Sequence, residues 1–152
     1  MTESQVTGLR SIEYNVPDLA KTSRFYESCW GLKKVAEEDG THWFRATGAE
    51  HHIVVLHEGG KASVNRINFA APDSIAVDGL YAKLSGLGIS TKDDPENLSG
   101  PGGGYGFSFT DRDGLSYSIS SNVTTHSDIA MEDDRPFKLS HVVLNSNKVE
   151  DQ

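Results

Sequence analysis

The side chains best equipped for chemistry fall in one short run, His51-His52-Ile53-Val54-Val55-Leu56-His57-Glu58, with His42 just upstream. Imidazoles bind transition metals and titrate near neutrality, so such a run raises the question of a metal site. A divalent metal needs its donors on one face. In a strand, His51, Ile53, Val55 and His57 share one face and His52, Val54 and Leu56 the other, so His51 and His52 are not expected to meet in one site. His42, His51 and His57 are expected to be exposed or hydrogen-bonded structural residues. Glu13 and Glu50 would be the carboxylate pair for acid–base work, but the first alternates with Ile12 and the second stands in a turn, so solvated roles are expected for both. Ser118 and Ser121 alternate with nothing resembling a His and Asp relay, which leaves a hydrolase triad unsupported. The glycine-rich Gly100-Pro101-Gly102-Gly103-Gly104 lacks the Lys-Ser/Thr and the helix start of a phosphate cradle and reads as a flexible loop. Cys29 is the lone cysteine and cannot form an internal disulfide. Among Tyr26, Trp30 and Leu32 it is expected to be a small buried core residue.

These residues must be positioned by elements that the pattern also suggests. From Leu9 to Val16 the apolar residues alternate and Pro17-Asp18 ends the run, which reads as a strand. Asp18 can cap a helix from Leu19 to Trp30 that stops near Gly31, with Leu19, Phe25, Tyr26 and Cys29 placed on one side. Strands are expected from Lys33 to Glu38, His42 to Thr47 and His51 to His57, divided by the turn signals Asp39-Gly40 and Gly48-Ala49. After Gly59-Gly60-Lys61 the grammar restarts. A strand from Val64 to Ala71 leads through Pro72-Asp73 to a helix from Ile75 to Leu87. Short strands follow at Ile89 to Lys92, Tyr105 to Thr110 and Leu115 to Ser121, the last two flanking the turn Asp111-Arg112-Asp113-Gly114. The order β, α, β, β, β thus occurs twice, offset by 55 residues, and neither unit is large enough to bury its sheet alone.

The expected fold class is therefore α+β, with two tandem βαβββ modules, residues 8–60 and 61–122, forming a curved mixed sheet. A polar stretch, 123–136, reads as a linker. Residues 137–152 begin the pattern a third time, with Leu139, His141, Val142, Val143 and Leu144 strand-like.

Composition narrows the functional classes. Fourteen Lys and Arg against 22 Asp and Glu give a net charge of -8 and a pI near 5.1, a field that repels nucleic acid and anionic lipid. No stretch approaches the ~20 apolar residues that span a bilayer, and the charged first twenty residues are not expected to serve as a signal peptide. A cytoplasmic protein is expected.

The quoted residues resemble a known family. Ile12-Glu13-Tyr14-Asn15-Val16-Pro17-Asp18-Leu19, then Phe25-Tyr26 and Gly31-Leu32, are similar to the strand, Asp cap, "FY" helix and "GL" turn of the vicinal-oxygen-chelate (glyoxalase / bleomycin resistance / dioxygenase) superfamily. The run from His51 to Glu58, with Ile67-Asn68-Phe69-Ala70 and Asp111-Arg112-Asp113-Gly114, looks most like the amino-terminal domain of a type I extradiol ring-cleaving dioxygenase.

That resemblance implies a metal-free amino-terminal pair of modules and a further pair holding Fe(II), or Mn(II), by two His and one Glu. The complete enzyme would open a catechol-type aromatic substrate with O2. His141 falls at the first-ligand position of the third module, although the chain has Lys148 where the family usually has Asp. In the first two modules the ligand-equivalent positions hold Ser11, Arg66 and Ser118. None suits Fe(II), and the guanidinium would repel it. No catalytic or cofactor-binding residue is therefore expected here, and the isolated chain is expected to be inactive, supplying packing surface and contacts for a homo-oligomer. The alternative is a metal-free small-molecule-binding protein of the bleomycin-resistance type, with Trp30, Trp43, Phe44 and Tyr105 stacking on the ligand.

Overall fold

Asp18 and Asp73, 55 residues apart, each start a helix in the same way. The Asp18 carboxylate accepts the Lys21 backbone N–H at 3.0 Å, and the Asp73 carboxylate that of Ala76 at 2.8 Å. Each satisfies a donor that the first helical turn leaves open. The structure, a computed structural model, describes residues 5–144. Its elements follow the doubled order expected, and the fold is the mixed α+β one that the tandem modules imply. The chain divides into two compact units, residues 10–65 with 124–139, and residues 66–123 with 5–9 and 140–144.

In the first module, β1 (Gly8–Val16) leads into α1 (Leu19–Ser28), then β2 (Lys33–Glu38), β3 (Thr41–Arg45) and β4 (Val54–Glu58). The strand order is β2-β3-β4-β1, with β4 antiparallel to β3 and parallel to β1. Asp39 and Gly40 both have positive φ, 45° and 76°, the conformation that joins β2 to β3 in a two-residue hairpin. Alternation puts Ile12, Val54, Leu56 and Phe44 on the face covered by α1, and all four are buried.

The helix meets that face along Leu19, Ser23 and Tyr26, a stripe at 3.6-residue spacing. The expected grouping of Phe25 and Cys29 with Leu19 is corrected: Phe25 is half exposed, and Cys29, just past the last helical residue, is exposed rather than in the core. A stripe through Leu19 and Ser23 rotates both away from the sheet.

The second module repeats the plan with β5 (Ser63–Ala70), α2 (Ser74–Gly86), β6 (Ser90–Thr91), β7 (Glu96–Asn97), β8 (Tyr105–Thr110) and β9 (Ser116–Ser121). The order is β5-β9-β8-β6, with β7 added on β8. β7 lies within the stretch expected to be loop, where Glu96 and Asn97 pair with Gly106 and Tyr105. Gly106 has no room for a side chain: a Cβ there would stand 2.3 Å from the Ile119 carbonyl oxygen. The core under α2 is Ala76, Val77, Leu80, Phe107 and Ile119.

The polar segment 124–139 is held against the first module. Thr47 and Gly48 donate N–H groups to the carbonyls of Pro136 and Phe137, and His126 and Ala130 donate theirs to Ala49 and Thr47. Residues 139–144 form no strand among the described residues, because a strand needs a hydrogen-bonding neighbour and none is supplied there. The remainder of the expected third module, Asn145 to Gln152 with Lys148, lies outside the described residues.

Candidate functional site

The face of the first module's sheet turned away from α1 carries a chain of polar contacts. Glu13 on β1 and His57 on β4 lie on the same face, and their Oε1 and Nε2 atoms are 2.7 Å apart. The Thr41 hydroxyl reaches His57 Nδ1 at 3.1 Å. A neutral imidazole protonated at Nε2 satisfies both contacts, donating to the carboxylate and accepting from the threonine. Glu13 is buried, so the solvated role expected for it is corrected: cross-strand geometry gives it an imidazole partner that a single strand cannot reveal. Glu50 instead binds Arg10, at 2.8 Å, so the two carboxylates do not work as a pair.

At the edge of this module His51 and His52 lie in a bend before β4 rather than within it. The alternation that would separate them therefore does not apply. Their rings are 5.2 Å apart at 89°, and the two Nδ1 atoms stand 2.9 Å apart, a spacing at which one ring donates and the other accepts. The expectation that they could not meet is overturned. His126 stacks on His51 at 5.4 Å and directs Nε2 to the His51 carbonyl.

Burial is the larger cause, and the neighbouring His51 the next, of a His52 pKa pushed down to about 4. His51 is lowered too, first by burial and then by His126 and Arg45. Arg45, only 8% exposed, donates to Asp128 Oδ1 at 2.9 Å and to the carbonyls of Ala46 and Gly48. The hydrogen bond from Arg45 holds the Asp128 carboxyl below its usual range.

The second module's corresponding face is built from short side chains. Asn68, Ser118, Ser108 and Ser116 come from three adjacent strands, with the Ser118 hydroxyl on Asn68 Oδ1 and Arg66 Nη1 on the Ser108 hydroxyl at 3.2 Å. Of the positions where the family implies ligands, Ser11 is fully buried, Arg66 carries a fixed positive charge, and Ser118 is engaged with Asn68. This donor set does not fit Fe(II) or Mn(II).

The first module's imidazoles have protein partners: His57 has Glu13 and Thr41, the Nδ1 atoms of His51 and His52 have each other, and His42 Nδ1 has the Ser23 hydroxyl at 2.6 Å. No group of three or more His, Cys, Asp or Glu is arranged to hold a metal among the described residues. His141 is exposed, with Ser140 as its neighbour at 3.5 Å.

The four aromatics considered for stacking are placed differently, each within its own module. Phe44 is fully buried against Tyr26, Trp30 is half exposed, Trp43 alternates to the other side of β3 from Phe44, and the Tyr105 hydroxyl is tied to Asp78 at 2.6 Å.

Sequence reasoning missed His126 and the pairing of Arg45 with Asp128. A signal for the second was available, since an Arg between Phe44 and Ala46 in a strand calls for a carboxylate, and acids are plentiful from Asp128 to Asp134.

A search of curated protein sequences returns no significant match. Among solved structures, a Mn(II)-bound glyoxalase from Novosphingobium aromaticivorans superposes with a TM-score of 0.93 at 37% identity, covering 98% of this chain and 50% of that one. Homoprotocatechuate 2,3-dioxygenase from Brevibacterium fuscum, in complex with 3,4-dihydroxyphenylacetate, gives 0.78 at 24% identity over 91% of this chain and 45% of that one. The Arthrobacter globiformis enzyme gives 0.74 at 24% over 83% and 39%. The chain thus spans half the length or less of these structures, and the two dioxygenases share its fold. The model of the Glyoxalase/Bleomycin resistance protein/Dioxygenase superfamily matches residues 8–119, and the chain belongs to that superfamily.

Proposed function

We propose that this chain is the amino-terminal, metal-free part of an Fe(II)-dependent extradiol dioxygenase, with Mn(II) as the alternative metal. In this reading the opening of a catechol-type ring by O2 belongs to modules carried elsewhere in the complete enzyme. The observation that carries it is chemical. Where the family presents ligands, this chain offers Ser11, a buried hydroxyl, the Arg66 guanidinium, and Ser118, bound to Asn68. A guanidinium keeps its proton and repels a divalent ion, and neutral hydroxyls are poor substitutes for imidazole and carboxylate.

The superfamily membership and the coverage of half of a Mn(II)-bound relative support the same reading. His141 takes the first-ligand position of the third module, and its exposure leaves it accessible for that role. The first two modules contribute packing surface and contacts within a homo-oligomer in the cytoplasm. No helix among the described residues is long and apolar enough to cross a membrane. The bleomycin-resistance type of binding protein draws less support, because Phe44 is fully buried in its own module and the Tyr105 hydroxyl is held by Asp78.

The test is an anaerobic Fe(II) titration of the chain followed by exposure to O2 with catechol or homoprotocatechuate. No stoichiometric iron uptake and no ring-opened product are expected. Turnover would overturn the reading, as would tight one-to-one Fe(II) binding abolished by His51→Ala or His57→Ala.

A further inference from the structure

β2 (Lys33–Glu38) is the outermost strand of the first module, and among the described residues it pairs with β3 alone. Its other edge is the part of a sheet that can recruit a further strand. The strand reads Lys33-Lys34-Val35-Ala36-Glu37-Glu38, with the four charged side chains exposed and Val35 and Ala36 half-buried.

Laid antiparallel beside a second copy of itself, this order sets Lys33 against Glu38, Lys34 against Glu37 and Val35 against Ala36. A regular strand could not use that match. Directly opposed residues in an antiparallel pair share a face of the sheet, whereas residues three or five apart in a regular strand lie on opposite faces.

The register of β2 on β3 removes the obstacle. Lys33 lies opposite Arg45 and Lys34 opposite Phe44, but Ala36 is opposite Trp43, so Val35 is an extra residue, a bulge, in the middle of the strand. Beyond it Glu37 is opposite His42 and Glu38 opposite Thr41. Thr41 and Arg45 stand four residues apart on β3 and share one face, so Lys33 and Glu38 share it too. His42 and Phe44 bring Lys34 and Glu37 together on the other, where Lys34 Nζ reaches Glu37 Oε2 at 2.6 Å. A bulge usually turns an edge away from partners, but this one, centred between opposite charges, makes the strand match its own reverse.

We propose that β2 is the contact through which two copies of this chain associate, pairing antiparallel about a twofold axis with Lys33 of each copy facing Glu38 of the other. Charge selects both the occupant and the direction. A parallel pairing would set Lys on Lys and Glu on Glu, which is unfavourable directly across a ladder. Among the described residues Lys33 and Glu38 have no side-chain partner of their own, so the pairs between copies break no existing contact. Lys34 and Glu37 keep their pair and meet the same pair of the second copy with charges alternating. Glu38 and Thr41 flank the two-residue turn and close it with hydrogen bonds, which leaves the N–H and C=O of Glu37 directed to the open edge. β6, which ends the second module's strand order, offers only two residues for such a ladder. With six residues from each copy the interface is small, and a dissociation constant on the order of 100 μM is expected.

This contact rests on β2 and not on the dioxygenase reading: ring cleavage by the chain would overturn that reading and leave the contact standing, and a strictly monomeric chain would do the reverse. The test is sedimentation equilibrium of the full chain from about 10 μM to about 1 mM, a range that brackets the expected constant. Salt of about 0.15 M screens the repulsion between two chains of net charge -8 beyond roughly 8 Å. A monomer–dimer equilibrium is expected. Lys33→Glu and Glu38→Lys each create like-charge contacts on both sides of the twofold axis and should weaken association about tenfold. In an equimolar mixture of the two variants each new charge faces its opposite, and association should return to within about twofold of the unmodified chain. The unmodified protein gives a second measurement: in a mixture of isotope-labelled and unlabelled chains, cross-relaxation is expected between the Val35 methyls of one copy and the Ala36 methyl of the other. A chain that stays monomeric across the range overturns the proposal. So do association indifferent to the two charge reversals, a mixture that fails to rescue it, and contacts between copies centred away from β2.

Discussion

The two modules share a backbone plan and differ in what their sheets hold. All six histidines lie outside residues 66–123, five of them in the unit formed by 10–65 and 124–139. The first module buries Arg45 and Glu13, half-buries its imidazoles and ties the segment 124–139 across its edge. The second covers one face with serine and asparagine hydroxyls and amides and leaves an apolar cavity on the other. A βαβββ unit thus dictates where side chains point, while the identity of the alternating residues decides whether a face becomes a titrating network, an inert hydroxyl surface or an opening. The first module should therefore respond strongly to truncation, to acid and to disruption of its strap, and the second weakly.

The largest contrast is in packing. Phe44→Ala removes a fully buried ring and should cost about 3–5 kcal/mol in urea unfolding. Leu84→Ala trims a side chain that already borders open space and should cost about 1–2 kcal/mol. Equal losses would break the comparison.

Acid should separate the modules next. His52 has a folded-state pKa of about 4, below the 6.5 of an unperturbed histidine. The unfolded chain binds that proton first, so the contribution is whole above pH 6.5 and is lost as pH falls from 6.5 toward 4. At about 1.4 kcal/mol per unit, up to roughly 3 kcal/mol is at stake. His51 acts in the same direction. Native-state hydrogen exchange at pH 7 and pH 5, corrected for intrinsic rates, should show protection falling in residues 42–58 and holding in 66–121. His52→Phe should flatten the first response.

Disruption of the strap should follow. A Cβ at Gly48 would stand 2.4 Å from the Phe137 carbonyl oxygen, so Gly48→Ala should cost about 1–3 kcal/mol and expose residues 124–139 to limited proteolysis. The smallest effect is expected at Cys29, which lies on the surface: a thiol reagent should modify it fully in the native protein and change stability by less than about 0.5 kcal/mol. Slow or partial modification would restore the core role first expected for it.

The sequence by itself determined the parts governed by neighbours a few residues away. Asp18 and Asp73 announce helix starts because an aspartate can accept its own helix's free N–H groups, and Asp39-Gly40 announces a hairpin because both residues tolerate positive φ. The alternating apolar runs mark the strands for the same local reason, and their repetition 55 residues later declares two modules. Only the tertiary structure decided the rest. It took His51 and His52 out of β4 and set them ring to ring, matched Glu13 with His57 across two strands, turned Cys29 outward, and opened the cavity where α2 runs out. Arg45 and Asp128 meet across 83 residues of chain. A polar side chain's burial and partner depend on which distant backbone arrives beside it, and no local pattern of residues encodes that arrival.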